Sequence, residues 1–225
     1  MFTLPSRLVD ALARFNAAHP WDHNAHYHRW LLRRLPRRFA TALDVGCGTG
    51  DLARLLAARA AQVDAIDADP GVLVRARELT SPTAPVAYTL AEAPKGLPPG
   101  PYDVVTCVAV LHHLPFADTL TRLREGLAPG GTLVVVGCAR AASGADHALG
   151  LAAVPLNALT GWVKNRGRPR AHRPVSMTAP VRDPDMTFAE IGREARRLLP
   201  GARLRRRLFW RYTLLWRAPA DASGG

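Results

Sequence analysis

Short, almost continuously apolar runs alternate with segments of helical periodicity between residues 39 and 140. The apolar runs read ATALDVG, AQVDAIDA, PVAYTLA, PYDVVTCVAVL and TLVVVGCA. Strands of this composition are typically buried on both faces, because helices cover both sides of their sheet. Segments such as DLARLLAARA and FADTLTRLREGL supply that cover. The alternation therefore predicts an α/β fold with a parallel sheet between layers of helices.

The 225 residues have the length of a single domain, within which the pattern changes along the chain. Two helical patterns come first, and Pro20 and Pro36 end them. Near the other end, Thr187 and Glu190 have the spacing of a capping box that starts a helix. We expect an N-terminal helical cap (1–38), a core (39–140), an irregular insert or lid (141–186), and a last helix with a terminal hairpin (187–218).

The insert contains the apolar stretch HALGLAAVPLNALTGWV. Pro155 in its middle predicts that no single uninterrupted helix forms there, because proline removes a hydrogen bond of the helix. We expect a wall of the substrate site. Packing on the core, a helix at a membrane surface and a contact between two copies stay open as alternatives. The basic segment KNRGRPRAHRP, which follows, is typical of a solvated loop.

Features of the whole chain indicate a cytoplasmic protein. No apolar run is long enough to span a bilayer, and the N-terminus lacks the apolar core of a secretory signal. The cysteines are Cys47, Cys107 and Cys138, an odd number without the spacing of a disulfide framework. We expect reduced, mostly structural thiols and a chain that is a monomer or a homodimer.

The formal charge of +12 raises the question of nucleic-acid binding. Only Lys95 and Lys164 are lysines, so arginine supplies nearly all of the positive charge. The arginines are spread over several predicted helices with modest clusters. Net charge acts on solubility and non-specific association more than on fold. A dedicated nucleic-acid role is therefore the weaker interpretation.

The segment LDVGCGTG joins the first predicted strand to a helix and places Gly46, Gly48 and Gly50 after Asp44. Glycines at this point let the backbone approach a ligand closely. Asp67 ends the second strand, where a carboxylate can accept hydrogen bonds from both hydroxyls of a ribose. A dinucleotide would bring its pyrophosphate near Asp44, and like charges repel. The combination predicts a nucleoside with a cationic end.

These residues resemble the class I S-adenosylmethionine-dependent methyltransferases. LDVGCGTG resembles the first motif of that family, and AIDADPGVLVRAR resembles its second strand and following helix. YDVVTCVAVLHHL and LREGLAPGGTLVVV are similar to the fourth strand, the next helix and the fifth strand. The resemblance implies a seven-stranded, mostly parallel Rossmann-like sheet with helices on both faces and a C-terminal antiparallel hairpin. The N-terminal helices would form a lid over the cofactor.

The resemblance also implies S-adenosylmethionine as the cofactor and S-adenosylhomocysteine as the product. The family often has an acidic residue at the end of the third strand; here Leu90 holds that register, and Glu92 stands two residues on. A tyrosine of the lid commonly contacts the cofactor, a role that falls on Tyr27. The implied cofactor contacts are Asp44, Gly46, Cys47, Gly48, Gly50, Asp67, Ala68, Glu92, Val108 and Tyr27.

Three histidines are candidates for the transfer step. His112 and His113 follow the fourth strand, where the methyl group is expected, and a neutral histidine can accept a proton from the acceptor. Packing of the loop is an equally good interpretation, and within the pair we favour His112. His23 on the second helix is placed to reach the acceptor. A metal site of His19, His23, His26 and His28 is a weak alternative, and we expect no metal.

We expect an enzyme that methylates a small metabolite or natural product by in-line displacement. Methylation of RNA or protein is the second interpretation, and only the basic charge supports it. A cofactor-binding protein without catalysis is the third. The acceptor and the methylated atom are not encoded in any motif of the chain.

Overall fold

The computed structural model describes residues 6–170 and 182–220, and within these ranges seven strands form one sheet. The strands are β1 (Phe39–Val45), β2 (Ala60–Asp67), β3 (Val86–Leu90), β4 (Tyr102–Val108), β5 (Leu127–Gly137), β6 (Arg203–Arg207) and β7 (Arg211–Arg217). Their order across the sheet is β3-β2-β1-β4-β5-β7-β6. All neighbours from β3 to β5 are parallel, whereas β7 is antiparallel to both β5 and β6. The predicted sheet and its terminal hairpin are confirmed.

Helices lie on both faces of this sheet, as predicted. They are α1 (Ser6–Ala18), α2 (His23–Leu32), α3 (Asp51–Ala57), α4 (Pro70–Glu78), α5 (Phe116–Glu125), α6 (Gly144–Lys164) and α7 (Phe188–Leu198), with a 3₁₀ turn at Leu111–His113. The predicted capping box starts α7: the Thr187 backbone N–H donates to Glu190 at 2.7 Å, and the Glu190 N–H donates to the Thr187 hydroxyl at 3.3 Å.

The central strands are buried on both sides because their side chains alternate between two hydrophobic clusters. Along β5, Leu133 and Val135 join the cluster that contains α5 and α7, whereas Val134 joins the cluster that contains α3 and α4. All three side chains are fully buried. Each contributes about 1.5–3 kcal/mol by leaving water. Burial on both faces explains why the strands appear in the sequence as unbroken apolar runs.

Residues 144–164 form one helix, so the prediction of an irregular insert broken at Pro155 is wrong for this part of the chain. A capping box of Ser143 and Asp146 starts the helix. Pro155 removes the donor that the carbonyl of Leu151 would have used. Both residues lie on the exposed side of α6, where water can hydrogen-bond that carbonyl. The segment 171–181 of the predicted insert lies outside the described residues.

The N-terminal helices pack beside α6 and the sheet. Asp22 caps α2 by accepting hydrogen bonds from two backbone N–H groups. α1 packs against α6, and the Asn165 side chain, just after α6, donates to the carbonyl of Pro20 at 3.0 Å. In the part of the chain that the structure describes, no helix combines the length and the apolar character needed to cross a membrane.

Candidate active site

A cleft of about 400 Å³ opens beyond the carboxyl ends of β1, β2 and β4. It lies where the strand order reverses between β1 and β4, the position at which open α/β sheets bind ligands. Its lining comes from the strand ends and from the start of α2: Asp22, Asn24, His28, Asp44, Val45, Gly46, Cys47, Gly48, Thr49, Asp51, Leu52, Ile66, Asp67, Ala68, Val72, Ala91, Glu92, Ala93, Val108, Ala109, Val110, His113 and Leu114.

The loop after β1 forms one wall of the cleft with bare backbone. Gly46 and Gly48 have φ angles of +68° and +54°, in the left-handed region that favours glycine. A Cβ on Gly46 would lie 2.0 Å from Val110, so packing alone requires glycine there. A Cβ on Gly48 would meet no protein atom within 4 Å. Because Gly48 lines the cleft, that open space is available to a ligand.

Asp67 holds a fixed carboxylate at the end of β2. One carboxylate oxygen accepts the backbone N–H of Gly48 at 2.9 Å, and the other accepts the N–H of Asp69 at 3.0 Å. These bonds fix its orientation before any ligand arrives. An ionised carboxylate has about four lone-pair sites, so both oxygens keep acceptor capacity for a ligand.

Asp44 is a buried acid at the end of β1. The Thr106 hydroxyl donates to Oδ1 at 2.7 Å, whereas Oδ2 is buried without a hydrogen-bond partner among the described residues. Burial raises the pKa of Asp44 to about 7; the hydrogen bond from Thr106 opposes the shift, and the charge of Asp67 adds to it. An unsatisfied buried carboxylate oxygen is costly, and a cation or a donor in the cleft would relieve that cost.

Ala109 is a cleft residue that the sequence did not indicate. It follows β4 directly with a φ of +57°, a conformation that costs an alanine about 1–2 kcal/mol. Its N–H donates to the carbonyl of Val136 at 2.7 Å, which holds the backbone in place. The run VTCVAVL predicts a longer strand, but the strand ends at Val108. Strained backbone of this kind clusters at functional sites.

Comparison with known proteins identifies the family of this chain. A family model described as a methyltransferase domain matches residues 43–133. An uncharacterized methyltransferase of Mycobacterium tuberculosis is 37% identical over 205 residues, which cover 89% of this chain and 98% of that protein. The chain belongs to the class I S-adenosylmethionine-dependent methyltransferases.

Two further proteins are similar to this methyltransferase, one over part of its sequence and the other in fold. The trans-aconitate 2-methyltransferase of Streptomyces avermitilis is 38% identical over 121 residues, which cover 50% of this chain and 45% of that enzyme. The solved structure of the N-methyltransferase NodS from Bradyrhizobium japonicum, in complex with S-adenosyl-L-homocysteine, has a TM-score of 0.57 at 18% identity. That superposition covers 93% of this chain and 97% of NodS, and it shows a common fold.

The predicted cofactor contacts of the methyltransferase divide into two groups. Most of them line the cleft: Asp44, Gly46, Cys47, Gly48, Asp67, Ala68, Glu92 and Val108. Gly50 is not in the lining, and a Cβ there would lie 2.1 Å from the Tyr88 hydroxyl. The structure does not bring Tyr27 to the cleft either. Tyr27 is buried and donates its hydroxyl to the carbonyl of Leu208 at 2.6 Å, and burial raises its pKa to about 12.

The α2 region contributes cleft residues that the sequence analysis did not predict. Asp22 and Asn24, at the start of α2, and His28 within the helix line the cleft in addition to the strand ends. Asp22 is also the N-cap of α2, a position that favours aspartate. Burial lowers the pKa of His28, although the charges of Asp22 and Asp51 oppose the shift.

The histidine pair lies in the 3₁₀ turn after β4, with ring centroids 4.0 Å apart. His113 lines the cleft, whereas the favoured His112 does not. Burial, reinforced by the charges of His113 and Arg211, lowers the pKa of His112 to about 4, and burial also lowers the pKa of His113. Both rings are therefore neutral near pH 7.

His23 is the first residue of α2. It does not line the cleft, and its side chain contacts α6. Its Nε2 is 2.7 Å from Asn157 Oδ1, and its ring lies 4.2 Å from the ring of Trp21. These contacts belong to a cluster in which Trp21 and His23 pack against Asn157 of α6 and Phe209 of the hairpin. Within residues 6–170 and 182–220, no group of histidines, cysteines and acids is arranged to hold a metal ion.

Proposed function

We propose that this methyltransferase binds S-adenosylmethionine in the cleft and transfers its methyl group to a small molecule, releasing S-adenosylhomocysteine. The observation that carries the proposal is Asp44, an acid buried in the cleft with one oxygen unpartnered in the described chain. A cationic ligand that also carries a ribose matches this acid together with Asp67. S-adenosylmethionine supplies the ribose, an ammonium group and a sulfonium.

Asp67 would accept hydrogen bonds from the ribose hydroxyls. Its carboxylate is already oriented by Gly48 and Asp69, so little conformational freedom is lost on binding. Gly46, Cys47 and Gly48 would let the ligand lie against the main chain. Ala68, Glu92 and Val108 would flank the nucleoside, with Glu92 just beyond the end of β3.

The transfer itself needs alignment more than activation, because the sulfonium is already a good leaving group. With S-adenosylmethionine bound, the residues of the cleft would align the acceptor with the methyl group and exclude water. His113 is the histidine placed to contact the acceptor, since it lines the cleft. Its lowered pKa keeps the ring neutral, so it can accept a hydrogen bond or a proton from the acceptor.

A small acceptor is supported by the relative that acts on trans-aconitate, although the match covers only half of this chain. RNA or protein acceptors remain the alternative that the charge of +12 favours. Incubation with radiolabelled S-adenosylmethionine and host extract, fractionated by size, separates the two. We also propose a reducing compartment such as the cytoplasm, which the free thiols of Cys47, Cys107 and Cys138 support.

The binding proposal is tested by calorimetry with S-adenosylmethionine. Asp67→Ala is expected to weaken binding about a hundredfold, because the ribose loses a charged hydrogen-bond acceptor. Asp64→Ala is the matched control: Asp64 lies on the same strand outside the cleft and accepts the Tyr102 hydroxyl at 2.7 Å. Equal affinity of the Asp67 variant and the wild type would reject the proposed site.

A further inference from the structure

A recess lies between α6 and the hairpin, separate from the cofactor cleft. It has a volume of about 50 Å³, room for a carboxylate or a few waters and too little for a whole metabolite. Arg206, Arg207 and Arg211 line it together with Trp210, and Asp146 is the one acid in its described lining. The recess therefore combines cations with an aromatic side chain.

The three arginines differ in how their charges are balanced. Arg206 forms an ion pair with Asp146 at 2.6 Å, so the one acid of the described lining is already paired. The Arg207 guanidinium lies 4.8 Å from the ring centre of Trp30, over its face. Arg211 has no carboxylate partner among the described residues. Its hydrogen bonds are to neutral acceptors: Nε donates to Asn24 Oδ1 at 3.3 Å, and Nη1 donates to the carbonyl of Phe209 at 3.4 Å. The recess thus keeps a partly buried positive charge that an anion would neutralise.

Arg211 also connects the recess to the cofactor cleft. Its Nη2 donates to Asn24 Oδ1 at 3.0 Å, and Asn24 lines the cleft. The charge of Arg211 is close enough to contribute to the lowered pKa of His112, whose neighbour His113 lines the cleft. A molecule anchored on Arg211 would thus lie next to a residue of the cleft lining.

The turn that presents Arg211 is strained. Phe209 and Trp210 have φ angles of +58° and +57°, which large L-residues rarely adopt. Phe209 is buried with its ring 4.8 Å from that of Trp21, and this packing holds the turn. Trp210 remains half exposed at the recess, with Gly150 of α6 opposite its indole. Strain held in place by packing is typical of ligand-binding segments.

We propose that the methyl acceptor is a small molecule with a carboxylate, which Arg211 binds in this recess while the carbon skeleton lies along Trp210 toward the cleft. The proposal rests on the proposed function, because it names the substrate of that enzyme. Asn24 and Phe209 use one N–H each of Nε, Nη1 and Nη2 of Arg211, which leaves one N–H on Nη1 and one on Nη2. These two can donate to a carboxylate in parallel hydrogen bonds, which fix orientation as well as affinity. The carboxylate is the anchor, and another part of the acceptor reaches the methyl group.

The transfer step balances without a further reactant. A lone pair of the acceptor atom forms a bond to the methyl carbon, and the electrons of the carbon–sulfur bond return to sulfur. If the acceptor atom carries a proton, the proton leaves to His113 or to water. No oxidant or reductant is required.

The first experiment measures binding by NMR on protein saturated with S-adenosylhomocysteine. Benzoate and succinate are the probes, and benzamide and succinamide are their neutral counterparts. We expect the acids to bind at least about tenfold more tightly than the amides, and Arg211→Gln to remove this preference. Arg205→Gln is the matched control, because Arg205 lies on the same hairpin with an exposed side chain. Equal binding of acids and amides, or an unchanged preference in Arg211→Gln, would overturn the proposal.

The second experiment measures transfer from radiolabelled S-adenosylmethionine to low-mass host extract, separated on an anion exchanger. Labelled product is expected from the retained fraction, at least about tenfold less with Arg211→Gln than with Arg205→Gln. Product from the unretained fraction alone would overturn the carboxylate proposal and leave the methyltransferase intact. By contrast, a protein that binds carboxylates but not S-adenosylhomocysteine would contradict the proposed function.

Discussion

The cofactor cleft and the recess beside it are built in different ways. The cleft is formed where consecutive strands end, and the segments 44–49, 66–68, 91–93 and 108–110 supply most of its wall. The recess is formed by side chains of α6 and of the hairpin, which are about 60 residues apart in the chain, as in the pair Asp146 and Arg206. One site depends on local backbone conformation and the other on long-range packing.

This difference explains why only one of the two sites can be identified from short motifs. The glycine loop and Asp67 need only a strand, a turn and a neighbouring strand to adopt their geometry. Arg211 is positioned by contacts that no motif records, among them its hydrogen bond to Asn24 and the packing of Phe209 on Trp21. Substitutions in the glycine loop are therefore expected to disrupt the cleft as a whole. In the recess, by contrast, the side chains can be substituted one at a time.

The largest effect is expected from Gly48→Val, which tests whether ligand binding in the cleft requires a residue without a side chain at this position. The valine would project into the space of the ligand, so we expect S-adenosylmethionine affinity to fall by more than about a hundredfold. Gly130→Val is the control, because Gly130 also has a left-handed φ (+73°) and open space around it, but lies outside the cleft. Calorimetry showing equal affinities for the two variants would contradict the role of the loop.

An intermediate effect is expected from pH, which tests the charge of the cleft. Because the pKa of Asp44 is about 7 in the free protein, the acid is mostly protonated below that pH, whereas a cationic ligand favours the ionised form. Affinity for S-adenosylmethionine should therefore rise about twentyfold between pH 5.5 and 7.5 and then level off. Asp44→Asn should remove this dependence. A flat profile for the wild type would show that Asp44 does not contact the cationic end.

The same shift has a consequence for stability without ligand. The pKa of Asp44 in the folded protein lies above the ordinary value of 3.8, so the unfolded chain loses this proton first as pH rises. The stability contributed by the protonated, buried carboxyl is therefore present below pH 3.8 and is lost by about pH 7. Added S-adenosylmethionine should restore stability near pH 7, which thermal unfolding can measure.

The smallest effect is expected from substitutions of the histidine pair, His112 and His113, beside the cleft. His113→Ala should lower turnover about tenfold, because the acceptor loses an orienting contact, with cofactor affinity changed less than about threefold. His112→Ala should change turnover less, since His112 does not line the cleft. If steady-state kinetics show that His112→Ala loses more activity than His113→Ala, the choice of His113 is wrong and the preference for His112 drawn from the sequence is right.

The sequence predicted much of the sheet because each strand carries its own signal. Apolar runs gave the five parallel strands, and the Thr187 capping box gave the start of α7. Local rules are less reliable where the surroundings of a residue decide the outcome. Pro155 is expected to break a helix, yet α6 continues through it at a position where both Pro155 and Leu151 are exposed to water. The family resemblance implies that Tyr27 contacts the cofactor, whereas in the structure its hydroxyl donates to the carbonyl of Leu208, outside the cleft lining.

By itself, the sequence determined the α/β fold, the position of the cleft and the two acids, Asp44 and Asp67, that line it. Those features depend on residues close in the chain, where glycine φ angles, strand burial and an acid at a strand end act through short-range physics. Only the tertiary structure decided which histidine reaches the cleft, where the backbone of Ala109 turns and that Arg211, in the recess, has no carboxylate partner among the described residues. These depend on how separate elements meet, because burial and charge pairing are properties of the packed molecule.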